Sequence, residues 1–94
     1  MRHGTLPDGL SLVRTTDEFD ATTVPAGLLR AHRVARDVWG LLEVRDGTLR
    51  FVWEEPDGAP PIDLAAGDSV VIPPDVPHRV EPGADARFAV QFHR

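Results

Sequence analysis

The chain has 94 residues, enough for a single domain spanning 1–94 and no second core. Hydrophobic residues make up 41% of it, and 10 basic against 15 acidic side chains leave a formal charge of −5. That balance argues against nucleic acid, where phosphate neutralisation dominates affinity, and against a basic membrane-surface face.

There is no cysteine, which excludes disulfides, thiolate catalysis and thiolate zinc sites. All ten basic residues are arginine, so lysine Schiff-base chemistry is excluded as well. No apolar run approaches the roughly 18–20 residues of a membrane span, and the first fifteen residues lack the apolar centre of a signal peptide. A cytoplasmic location is the expectation.

In chain order, "LSLVR" (Leu10–Arg14) predicts a first strand. Thr16 or Asp17 is placed to cap one short helical turn, which Pro25 and Gly27 would end. "LLRAH" (Leu28–His32) reads as a strand, with Arg30 and His32 in one phase and Leu29 and Ala31 in the other. "VWGLLEVR" (Val38–Arg45), Asp46-Gly47 and "TLRFVWE" (Thr48–Glu54) predict a hairpin, because Asp-Gly supplies the positive φ angles of a tight turn. Leu49, Phe51 and Trp53 form its apolar phase.

Further strands are expected at Ile62–Leu64, Ser69–Ile72, His78–Glu81 and Arg87–His93. In the last, Phe88, Val90 and Phe92 share one face, and Ala89, Gln91 and His93 the other. His3 falls in a terminus expected to be mobile and inert. About eight short strands and no helical period predict an all-β barrel or jelly roll.

Chemistry concentrates in "GDSVVIPPDVPHRV" (Gly67–Val80). Gly67-Asp68 makes a turn into a strand, Pro73 stops it, and the prolines stiffen the approach to His78. The strand period then sets His78 and Val80 facing inward. Gly67, Pro73 and His78 stand at the spacing of the second motif of the cupin superfamily, with Asp75 in place of its usual glycine and Pro82 where asparagine is common.

Taken with "TVPAGLLRAH", "VWGLLEVRDGTLRF" and the terminal "FAVQFHR", the chain resembles the small cupin-like domain of the tellurite-resistance TehB/YeaR-like family from about Leu6 to Arg94. The resemblance implies a cupin-type double-stranded β-helix, a jelly-roll barrel, and a role in stress response or oxyanion resistance. In some proteins this domain sits beside a methyltransferase domain. These residues include none, so methyl transfer is not expected of them.

Metal-binding cupins use an H-x-H pair, a glutamate and the second-motif histidine, a set suited to zinc, iron, nickel or manganese. Here "RAH" stands where H-x-H would be and Gly40 falls near the glutamate position, leaving His32 and His78. A divalent metal, zinc first, is the expected cofactor, held by His32 and His78 with His93 as a third ligand. Glu43, in phase with Trp39 and Leu41, is a further oxygen donor.

Arg30, Trp39 and Gln91 are candidate ligand-binding residues, since guanidinium matches oxyanions and an indole offers apolar wall. The alternatives are a metal-free module for a small anion, or a metal-dependent dioxygenase or isomerase. No serine lies in a nucleophile elbow, no glycine-rich loop leads into a helix, and the acids are dispersed. A homodimer through edge strands would bury more surface for so short a chain.

Overall fold

The computed structural model describes residues 1–29, 34–54 and 59–94. Nine strands run through them: β1 (Arg2–His3), β2 (Leu12–Thr15), β3 (Phe19–Asp20), β4 (Trp39–Asp46), β5 (Thr48–Trp53), β6 (Ile62–Ala65), β7 (Ser69–Ile72), β8 (His78–Pro82) and β9 (Arg87–His93). A single 3-10 turn, Ala26–Leu29, is the helical element among the described residues. None of their helices is long and apolar enough to cross a membrane.

The strands form two sheets. One has the order β1-β7-β4-β9-β2, with β3 also pairing β9, and the other the order β6-β5-β8. β1 and β7 run parallel, and the remaining pairs are antiparallel. Leu42, Val44, Val70, Ile72, Phe88 and Val90 from the larger sheet meet Leu49, Phe51, Leu64 and Val80 from the smaller one in a single buried core. Apolar residues at period two on both sheets make this sandwich the way to remove them from water.

The other face of the larger sheet is also dry at its centre: Leu41, Val71 and Ala89 are buried. β1 and β2 lie at opposite edges, so the link between them must cross three strands. It passes over this outer face, for Gly4 sits against Val71, a Cβ there lying 3.1 Å from that of the valine, and Leu6 and Leu10 are half-buried. Strands covered on both faces read as unbroken apolar runs, as "SVVI" does.

Several expectations need correction. Asp46-Gly47 does not close a hairpin, because β4 pairs with β7 and β9 while β5 pairs with β6 and β8. The chain bends at Gly47 (φ 65°) and leaves one sheet for the other. Leu28 and Leu29 belong to the 3-10 turn and not to a strand, and the rest of that segment lies outside the described residues. Thr16 and Asp17 cap no helix; Thr16 donates its hydroxyl proton to the Asp17 carbonyl at 2.9 Å, and the 3-10 turn comes after Pro25. The first long strand starts at Leu12, and His3 is paired to Val70 rather than loose.

Candidate functional site

β8 begins directly after Pro77, and its first residue is His78. The approach contains Asp75 at φ 59°, whose amide donates to the Val34 carbonyl at 3.0 Å. A left-handed residue here reverses the chain between Pro74 and Val76 and fixes the angle at which β8 starts. Aspartate tolerates that conformation better than most residues, which suits it to this turn.

His78 is 2% exposed and stacks on Phe51, with ring centroids 5.3 Å apart. Trp53, opposite His78 in the β5–β8 register, meets the same Phe51 edge-on at 4.6 Å. The Nδ1 of His78 lies 2.9 Å from the Val76 carbonyl. A carbonyl only accepts, so in the neutral ring Nδ1 carries the proton and Nε2 is the acceptor nitrogen.

His78 lines a cavity of about 220 Å³ between the sheets. Leu42, Ile72, Val80, Val90 and Phe92 supply walls, and Phe19 and Leu28 add to them. The 3-10 turn borders the space and packs against β8. That turn follows a tight loop in which Asp20 Oδ1 accepts from the amides of Thr22 and Thr23, both at 2.8 Å. The Thr22 hydroxyl, donating to the same oxygen at 2.8 Å, is the main cause that holds the Asp20 carboxyl down at about 2, with these amide bonds adding to it.

Besides His78, the polar side chains on the cavity among the described residues are Arg14 and Thr16. The Thr16 hydroxyl is committed to backbone, accepting from the Val90 amide at 3.0 Å and donating to Asp17. Arg14 is exposed at the rim with Pro25 and Gly27, its guanidinium carbon 5.6 Å from the centre of the Phe92 ring. Arg45, Arg50, Arg79 and Arg87 all pair with carboxylates, whereas Arg14 has no such partner among the described residues.

Arg14 escaped the sequence reading. Its phase in "LSLVR" matches Leu10 and Leu12, yet Leu12 is 55% exposed. The β2–β9 register shifts between Leu12 and Arg14, and the irregularity re-aims the arginine. A charge ending an apolar alternation was the one signal available.

The other candidates are placed elsewhere. Trp39 sits opposite His93 in the β4–β9 register, and Gln91 opposite Leu41, on the outer face of the larger sheet. There His93 Nε2 lies 3.0 Å from Gln91 Oε1, and Gln91 Nε2 donates to Glu43 Oε1 at 3.2 Å. Trp39, Glu43, Gln91 and His93 are thus brought together with one another and separated by the sheet from His78. Arg30 and His32 lie outside the described residues. Among the described residues, no group of three or more His, Asp or Glu side chains converges as a metal site.

A small two-sheet β domain with an apolar cavity between the sheets, the buried imidazole of His78 and a guanidinium at the rim is the class defined here. Residues 14–90 match the TehB-like domain family, and the chain belongs to it. Its fold is similar to that of a crystallised protein from E. coli (strain K12), with TM-score 0.85 and 23% identity over 96% of this chain and 95% of that one. It is also similar to TehB from Haemophilus influenzae, with TM-score 0.80 and 20% identity, covering 89% of this chain and 31% of TehB. These likenesses show the fold; the chain spans under a third of TehB, so that protein's activity does not transfer. No curated protein matches the chain.

Proposed function

We propose that this TehB-like domain is a small-molecule binding module of cupin type that works without a bound metal. The single observation carrying this reading is the cavity itself: about 220 Å³, walled by aliphatic and aromatic side chains, with a few polar groups. Concave, apolar and sparsely polar is the usual make-up of a small-ligand site. The cupin jelly-roll assignment is supported by Gly67 at φ 93°, by Pro73 directly after β7, and by His78 opening β8 toward the interior.

The zinc expected from the family resemblance fits the described residues poorly. They offer the cavity one imidazole, a hydroxyl already bonded to backbone, and an arginine without a carboxylate partner. A cation gains nothing beside an uncompensated guanidinium, while an anion does. His93 is on the far face of the sheet, so it cannot join His78. The role in stress response or oxyanion resistance remains what the resemblance implies, with the cavity as the place where a ligand would be held.

Metal analysis of protein purified without a histidine tag tests this reading. Zinc well below stoichiometric is expected. One zinc per chain, lost in His78→Ala, would overturn it.

A further inference from the structure

The cavity has mostly apolar walls and, at its mouth, the guanidinium of Arg14, which has no carboxylate partner among the described residues. An apolar cavity of roughly 150 Å³ takes up benzene. At about 220 Å³ this one has room for a single ring with a short arm, or a branched chain of similar bulk. Filling it with water alone would be unfavourable, since Leu42, Ile72, Val80 and Val90 offer no hydrogen bonds.

Arg14 supplies the second half of the argument. Its guanidinium is positioned over Phe92, whose ring also lines the cavity. An arginine over an aromatic face is steadied by the ring and keeps its in-plane N–H donors for another group. Those donors form a fork that matches a head with two coplanar oxygens. An inorganic oxyanion could use the fork but would leave its remaining oxygens facing hydrocarbon. A purely apolar molecule would fill the walls and ignore the fork.

We propose that the ligand is a compact organic monoanion, with an apolar body about one ring in size in the cavity and a carboxylate-like head on Arg14. This rests on reading the cavity as the binding site. Arg14 also borders a neighbouring hollow lined by Val13, Val38 and Arg94, so the test must tell the two spaces apart.

Phenylacetate, its neutral counterpart 2-phenylethanol and inorganic phosphate are titrated into methyl-labelled protein, following Val80 and Val90 in the cavity and Val13 and Val38 in the hollow. Phenylacetate should shift the Val80 and Val90 methyls and bind about tenfold tighter than the alcohol. That advantage should vanish in Arg14→Met, shrink in Arg14→Lys, and weaken with salt. Both substitutions are at an exposed position, and an unchanged melting temperature confirms that the fold is intact.

Equal binding of acid and alcohol would overturn the anionic head while leaving the cavity reading in place. Displacement of phenylacetate from the cavity by phosphate would overturn the apolar body. Shifts confined to Val13 and Val38 would move the site and overturn the proposal. If no organic probe moves the Val80 and Val90 methyls, this proposal and the cavity reading fail together.

Discussion

Asp20 is a surface carboxylate with an uncommon number of donors. The amides and hydroxyls of Thr22 and Thr23 all point at its Oδ1, between 2.8 and 3.1 Å. Its folded pKa, about 2, is below the unfolded value of about 4. A depressed carboxylate stabilises the fold above the unfolded pKa, and that contribution is lost as pH falls through the folded one. The loop before the 3-10 turn should therefore loosen between about pH 4 and 2. A carboxyl NMR titration should give Asp20 a midpoint near 2, moving upward in Thr22→Val; an ordinary midpoint in the parent chain would contradict the account. At this scale the sequence was legible where one residue forces one geometry. The prolines before His78 and the glycine turn at Gly67 were readable, and with them the inward aim of His78. Arg14 was not, because the register shift that re-aims it depends on both strands, and the charge that ends the apolar alternation of one strand does not locate it.

At the scale of elements, alternation located β5, β7, β8 and β9 to within a residue, since each has one apolar face to bury or two. Pairing was less legible. Asp-Gly supplies a positive φ, and a positive φ serves a bend between sheets as well as a hairpin. The deciding contact is distant in sequence: a Cβ at Gly47 would lie 2.5 Å from the carbonyl carbon and oxygen of Asp85. Gly47→Ala should thus cost roughly 2–3 kcal/mol, combining backbone strain with a backbone clash. Gly9, at φ 85° with nothing within 4 Å, supplies the control. Gly9→Ala should cost about 1 kcal/mol from conformation alone. Urea unfolding of both variants measures the difference, and equal losses would remove the corner from the account. The strand expected at Leu28–His32 failed at its start because Pro25 favours the φ of a tight turn, and Leu28 donates to the Pro25 carbonyl at 2.9 Å. β1 and β3, two residues each, are too short to show any period.

For the whole molecule, two sheets and a crossing N-terminal link give the larger sheet two distinct faces. The inner face carries the cavity, with His78 from the opposite sheet and Arg14 at the rim. The outer face carries Trp39 and the Glu43–Gln91–His93 chain of hydrogen bonds. Half of the site expected from sequence therefore belongs to a different surface, because residues one apart on a strand face opposite ways. Phe92 and His93 illustrate it: one lines the cavity, the other bonds Gln91 outside. Small-molecule entry between the sheets is the proposed function of the cavity. Its most direct test is titration of benzyl alcohol, neutral and one ring in size, followed at the Leu42, Val80 and Val90 methyls and at the Trp39 indole N–H. The three methyls should shift together and saturate while the indole stays in place; a moving indole over unmoved methyls would place binding on the outer face instead.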